Sequence, residues 1–374
     1  MKILKFDTVH PLPYLSKLQR DSYDYIKTLD HIQYLDWLHS YSINHSNFYT
    51  DNINKLGHLG YEFYINDQVF LEKLGQFILK ENGGPLKKLR LKICPKIKLS
   101  WQFVVSQYIE YIKPDVLLLR EPSGVDYSFI SNYKKRCLIV TRINCPLQFT
   151  NNFNPSVPDL LVTGLSEYKD FFQLHGIESH IVRDAFESSL INRIDTSVKK
   201  YDVTFIGSLC TNYQFNKSCL LESVAEIFDF RWWGPIGEDK VSYPFLMKSH
   251  NGITGGLEMY NIYASTKVNI NDYPDVAGGH AVNQRIFEVM GSGGFLLTRY
   301  APNLDNEFPP GVFATYTCAD DCLNKIEYYL NNEGERNKIA KRGQEFVLSE
   351  HNYLKRMNQL ISILQNKIDH ISQQ

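Results

Sequence analysis

The chain of 374 residues lacks several things, and each absence excludes a class of protein. No window approaches the ~20 consecutive apolar residues of a membrane-spanning helix. The start, MKILKFDTVHPLP, lacks the apolar core of a signal peptide. Seven cysteines, an odd number with no C-x-x-C pair, argue against a disulfide scaffold and for a reducing compartment. Cys318 and Cys322 lie four apart, but no histidine or second pair is near to complete a metal site. Charge of one sign is also missing: 40 Lys and Arg face 41 Asp and Glu, for a net charge of −1. Nothing in that balance points to nucleic acid or an acidic membrane, although a locally basic groove is compatible with it. The expectation is a cytoplasmic, soluble protein.

What is present is ample core: 43% of residues are hydrophobic and 22% charged. Short apolar runs alternate with helical patterns, and the series occurs twice. Residues 2–6, 61–65, 115–119, 137–141, 159–163 and 179–183 read as strands. Helices are expected at 32–58, where polar residues interrupt the pattern, and at 67–81, 100–112, 127–135 and 166–174. A polar stretch without period, 188–200, marks the boundary. Strands at 202–208, 230–234, 267–271 and 295–298 follow, with helices at about 214–227, 257–264, 281–291 and 321–331. Residues 353–368 carry a last helical pattern. The α/β alternation predicts two Rossmann-like domains with parallel sheets, 1–190 and 191–350, and a terminal helix, 351–374, packing at their junction. In such sheets ligands bind beyond the carboxyl ends of the strands, so two of them facing each other would form a cleft.

The stretch AVNQRIFEVMGSGG, 281–294, places Glu288 inside an apolar helix that runs into three glycines. A phosphate-cradling loop needs the order strand, glycines, helix. Here the glycines follow the helix, so they read as its exit and the turn into FLLT. The anion site belongs at the other end, where the loop 275–280 leads into the helix with Asn283 as its cap. Glu288 lies five residues beyond Asn283, ~7.5 Å along the axis at 1.5 Å per residue. That is roughly the span from a nucleotide's diphosphate to its ribose hydroxyls, and a carboxylate there could accept both hydroxyl protons. The competing reading is an exposed glutamate paired with Arg285 three residues earlier.

Residues 201–357 resemble the CgeB-like (spore maturation protein) glycosyltransferases of the group 1 superfamily, which have the GT-B fold. The resemblance rests on YDVTFIGSL, WWGP, KVNIND, NQRIFEVMGSGGFLLT, FPPGVFATY and IAKRGQEFVLSEHNYLKRM. The first half is similar more loosely, in INKLGHLGYEFYINDQ and IKPDVLLL. The resemblance implies a metal-independent transferase that moves a sugar from a nucleotide-diphosphate donor, held mainly by the C-terminal domain, to a hydroxyl acceptor. It places Glu288 on the donor ribose, and the loop at Gly279 with the amides near Val282 and Asn283 on the diphosphate. Many relatives carry an acid eight residues before this glutamate; here that position is His280.

Negative charge builds on the departing diphosphate, so fixed cations are needed there. Arg285 shares the helix with Glu288, and Lys217 follows the turn containing Ser208 after the first C-domain strand. Lys217 reads equally as a solvated helix lysine. Trp232 and Trp233 read as core, with Gly234 and Pro235 after them bordering the base. In the N-terminal domain His10, just after the first strand, is a candidate base. Arg120 and Glu121, and Arg142 and Asn144, occupy similar places after later strands, where a Glu121–Arg120 or Glu121–Arg142 pair reads more readily as structural than as functional. No cofactor is expected beyond the nucleotide-sugar co-substrate, and no metal. The acceptor is expected to be a glycan, a lipid-linked molecule or a protein, with peripheral membrane contact compatible. A nucleotide-sugar 2-epimerase and a non-catalytic glycan- or nucleotide-binding surface protein are the alternatives.

Overall fold

A computed structural model describes residues 1–82, 100–120, 124–144, 153–209, 215–237, 243–273 and 282–373. The chain divides into two compact units, Met1–Val182 with Met357–Gln374, and Arg183–Arg356.

The first unit is built on a six-stranded parallel sheet of β1 (Lys2–Asp7), β2 (Leu59–Tyr64), β3 (Val116–Leu119), β4 (Leu138–Arg142), β5 (Leu160–Thr163) and β6 (Ser179–Ile181). Its order is β2-β1-β3-β4-β5-β6. Residues of β3, β4 and β5 are buried throughout, which is why these strands read as continuous apolar runs and do not alternate. The helix Trp101–Ile112 shows how sequence sets a boundary. Ser100 caps it by accepting from Phe103 N at 3.3 Å, and Lys113 ends it at φ 50° just before Pro114.

The helical pattern over 32–58, interrupted by polar residues, is two helices, His31–Ser40 and Phe48–Lys55. Between them Ser42, Asn44 and Ser46 have φ of 53°, 54° and 44°, a left-handed conformation that no helix tolerates. The break has a use. Ser46 O accepts from the buried Lys5 Nζ at 2.8 Å, and Asn44 Nδ2 donates to Thr8 O at 3.2 Å. The terminal helix Tyr353–Ser372 contributes its larger part to this unit, held by Gln359 Nε2 on Ile181 O at 2.8 Å and Lys367 Nζ on Glu178 Oε2 at 2.7 Å.

The second unit has a five-stranded parallel sheet of β7 (Tyr201–Ile206), β8 (Phe230–Trp233), β9 (Thr266–Asn271), β10 (Leu296–Arg299) and β11 (Ala314–Tyr316), in the order β11-β10-β9-β7-β8. Its core gathers Val203, Phe205, Trp232, Val268, Ile270 and Leu297 with helix residues such as Leu221 and Ile326. The strand order reverses between β7 and β9, so the crevice for a ligand opens there, beyond their carboxyl ends. Among the described residues, no helix is long and apolar enough to cross a membrane.

Candidate donor site at the switch point of the second sheet

Three segments meet beyond β7 and β9. β7 ends at Ile206 and runs into Gly207 and the exposed Ser208; β9 ends at Asn271; and the helix Gln284–Gly291 begins beside them. The exit loops of β7 and β8 are stitched together. Gly207 N donates to Trp233 O at 2.9 Å, Trp232 Nε1 to Gly207 O at 2.9 Å, and Gly237 N to Leu209 O at 2.9 Å. Gly234 is buried in this junction, and a Cβ on it would collide with the carbonyl oxygen of Gly207. Only glycine lets the two backbones approach so closely. Trp232 and Trp233 are buried, as the sequence reading has them, and His250 is spent on Gly234 O at 2.9 Å.

Asn283 stands at the N-cap of the helix with extended backbone, φ −111° and ψ 162°, but its side chain does not cap. This corrects the expectation: Nδ2 instead donates to Asn271 Oδ1 at 3.0 Å. Arg285 Nη1 donates to the same oxygen at 3.0 Å, and its guanidinium lies 5.2 Å from the centroid of the Phe205 ring. Lys217, from the helix Phe215–Ile227, places Nζ 5.3 Å from that ring. The lysine is only 3% exposed, which removes the reading of a solvated helix residue. The two cations picked from sequence therefore converge on one phenyl ring at the carboxyl end of β7. The Lys217 charge also reaches the buried Asp272. Burial pushes that carboxyl's pKa up, while Arg299, at 2.9 Å, and Lys217 oppose the rise.

Glu288 lies one turn beyond Arg285 and is half-buried, not exposed. Burial raises its pKa to about 7. The charge of Arg285 and a hydrogen bond with Gln284 oppose that rise, and Asp184 adds to it. Asp184 arrives through a pairing of Phe186 with the chain around Asn352, in which Phe186 N donates to His351 O at 2.9 Å and Tyr353 N to Phe186 O at 3.2 Å. Gly291, at the end of the helix, packs so tightly on the Phe186 ring that a Cβ would overlap it.

The glycine cluster is the helix exit, as its position after the helix implies. Gly293 takes φ 77°, its N–H donates to Met290 O at 2.9 Å, and Gly294 N donates to Val289 O at 3.0 Å. That pair of bonds is a Schellman closure and needs a left-handed residue at Gly293.

Val282 sits half-buried just before the helix; Gly279 and His280 lie outside the described residues, as does Glu121. In the first unit His10 is exposed beyond β1. The polar groups at that sheet's own reversal, between β1 and β3, are Asp7 and Arg120, paired at 2.7 Å. Sequence reasoning missed Asn271, Asp184, Gln284 and Phe205. A signal existed for the first: in KVNIND, Asn269 and Asn271 interrupt an otherwise apolar buried strand.

Residues 217–362 match the family described as Glycosyl transferase-like. A search of curated proteins found no match. Among solved structures the chain is similar to HepE from Anabaena in complex with UDP and glucose, with a TM-score of 0.59 at 11% identity, covering 98% of this chain and 100% of that one. It is also similar to sucrose-phosphate synthase from Thermosynechococcus elongatus (TM-score 0.57, 8% identity, 99% and 100% covered). A third is a glycosyltransferase from Rickettsia africae (TM-score 0.54, 11% identity, 98% of each chain). The fold class is thus the two-sheet α/β architecture of the GT-B glycosyltransferases, and the segment that carries the candidate site is glycosyltransferase-like.

Proposed function

We propose that the protein is a glycosyltransferase that moves a sugar from a nucleoside-diphosphate donor, held by the second unit, to a hydroxyl acceptor. The observation that carries this reading is the convergence of Arg285 and Lys217 on Phe205 at the switch point, with Glu288 one turn further along the same helix. A diphosphate beside the two cations puts the ribose hydroxyls within reach of Glu288, which lies five residues beyond the helix start at Asn283. The bond between the anomeric carbon and the diphosphate oxygen breaks while the acceptor oxygen bonds to that carbon and loses its proton. Arg285, Lys217 and the amides near Val282 and Asn283 stabilise the charge left on the diphosphate. Ser208 and Gly234 border the same crevice. By the family resemblance the loop at Gly279 completes the diphosphate site, and His280 stands where relatives carry the acid that contacts the donor sugar; His10 or Glu121, from their places after strands of the first unit, takes the acceptor proton.

The reading extends to a CgeB-like transferase of the cytoplasm acting on a glycan, lipid-linked or protein acceptor, with the nucleotide sugar as its sole co-substrate. UDP-bound HepE, similar over its whole length, supports the donor class. The test is a thermal-shift screen against UDP-, GDP- and ADP-sugars followed by product analysis. A ligand that binds only the folded state raises the melting point. Free nucleoside diphosphate released only with an acceptor supports transfer. An isomerised donor would make the protein a 2-epimerase, and binding without turnover, abolished by Glu288→Ala, would make it a binding protein.

A further inference from the structure

We propose that Asn271 is the residue that positions the donor-diphosphate machinery of this site, acting through Arg285 and Asn283; the proposal rests on the donor-site reading above. Asn271 is fully buried at the carboxyl end of β9, on the far side of the crevice from Gly207. An arginine can only donate, so the atom 3.0 Å from Arg285 Nη1 is the amide oxygen, and the orientation of the amide is fixed. Nδ2 then donates to Thr298 Oγ1 at 3.0 Å, and that hydroxyl is itself held by Tyr273 OH at 3.0 Å. The backbone oxygen of Asn271 accepts from Tyr316 OH at 3.3 Å. Both ends of the residue are therefore locked.

The single oxygen Oδ1 takes two donors from the start of one helix, Asn283 Nδ2 and Arg285 Nη1, each at 3.0 Å. The consequence at Asn283 is that its side chain is turned away from the helix and does not cap its first amides. Uncapped amides at a helix start are the ones that receive an anion. The consequence at Arg285 is aim without neutralisation. A carboxylate at position 271 would form a charge-assisted pair and compete with any incoming phosphate. A neutral amide oxygen on one side and the face of Phe205 on the other hold the guanidinium, whose charge acts on Glu288 one turn away and on any incoming phosphate. Among the described residues, two buried atoms of the cluster, Arg285 Nε and Asn283 Oδ1, have no hydrogen-bond partner. Buried polar atoms are normally satisfied, and an orphaned donor on a positioned cation fits a site that a ligand completes.

Calorimetry with UDP, GDP and ADP against uridine, guanosine and adenosine tests this on the full chain. The wild type should bind one diphosphate. Asn271→Ala should weaken that diphosphate by about tenfold or more, the loss expected for hydrogen bonding to a charged group. Affinity for the matching nucleoside, which reports Glu288 and the ribose, should stay within about twofold. Asn271→Asp should weaken the diphosphate too, because a carboxylate engages Arg285. In an Arg285→Ala background, Asn271→Ala should bring little further loss, since its effect runs mainly through that residue. Equal losses for diphosphate and nucleoside, or losses that add with Arg285→Ala, would reduce Asn271 to a structural role while leaving the donor-site reading in place. A wild type that binds none of the three diphosphates overturns the reading and the inference together.

Discussion

The guanidinium of Arg285 lies across Gly207 so closely that a Cβ on the glycine would come within 2.7 Å of Nη2. The end of β7 is thus the floor on which the site's cation rests. The opposing atom is the tip of a flexible side chain and can move away, but the same Cβ would come within 2.9 Å of Phe205 Cζ, part of a buried core ring that can yield only a little. Gly207→Ala should lower stability modestly, by about 1–3 kcal/mol, because its Cβ crowds the buried Phe205 ring. It should displace Arg285 from Asn271 and weaken UDP or GDP binding by about tenfold, the loss of one charged hydrogen bond. Parallel melting curves and titrations check both halves, and undiminished nucleotide affinity would mean that Arg285 does not need that seat.

The first unit uses its own switch point differently. Lys5 is wholly buried, with Nζ 3.2 Å from Asp7 Oδ2 and 2.9 Å from Glu62 Oε2, and Arg120 pairs with Asp7 at 2.7 Å. Burial raises the pKa of Glu62, with Lys5 opposing it, whereas at Asp7 the Arg120 and Lys5 charges outweigh burial and hold the pKa below its usual value. Lys5→Met leaves two buried carboxylates with one cation and should cost about 3–5 kcal/mol. Adding Glu62→Gln should recover part of that loss. Urea unfolding of both variants measures it, and a Lys5→Met protein as stable as wild type would show that the cluster relaxes into water.

A third expectation concerns packing behind the donor helix. Gly343, in the helix Glu333–Glu350, faces the carbonyl of Val312, and a Cβ there would overlap that oxygen and press on Met290 Sδ at 3.1 Å. Backbone cannot yield as a side-chain tip does, so Gly343→Ala should destabilise the fold by about 1–3 kcal/mol, the usual cost of overpacking. A melting curve unchanged from wild type would contradict the close approach.

The strands were readable because central parallel strands are buried on both faces and leave continuous apolar runs, as in VLLL and LLVT. β11 was not, since Ala314–Tyr316 is too short to show a run and is recognisable only by its pairing with β10. Polar residues mark an interruption within 32–58, but its left-handed backbone was hidden because no glycine or proline at Ser42, Asn44 or Ser46 announces it. Within the site, Glu288 and Arg285 were legible because they share one helix, and helical spacing is a local property. Asn271 and Asp184 were not, because their roles depend on which strands become neighbours and on where the segment around Phe186 pairs. The sequence also suggested a side-chain cap at Asn283, which a local rule favours and the amide of Asn271 overrides.

The most diagnostic behaviour belongs to Glu288, because its pKa lies near 7 while an unfolded glutamate titrates near 4.5. The groups around it set that value: burial first, Asp184 in the same direction, Arg285 and Gln284 against. Between the two values the folded chain holds a proton that the unfolded chain has released. The contribution to stability is therefore complete below pH 4.5 and declines as pH rises toward and through 7, by roughly 3 kcal/mol in all. Binding runs the other way. Only the carboxylate accepts two ribose hydroxyl protons, so nucleoside affinity should climb from pH 6 to pH 8 by up to about tenfold. Glu288→Gln keeps the shape and removes the charge. It should flatten both profiles, hold stability nearer its acid-side value and bind nucleoside weakly at every pH. Titrations of wild type and variant at three pH values decide the matter; parallel slopes in the two proteins would place the titrating group elsewhere.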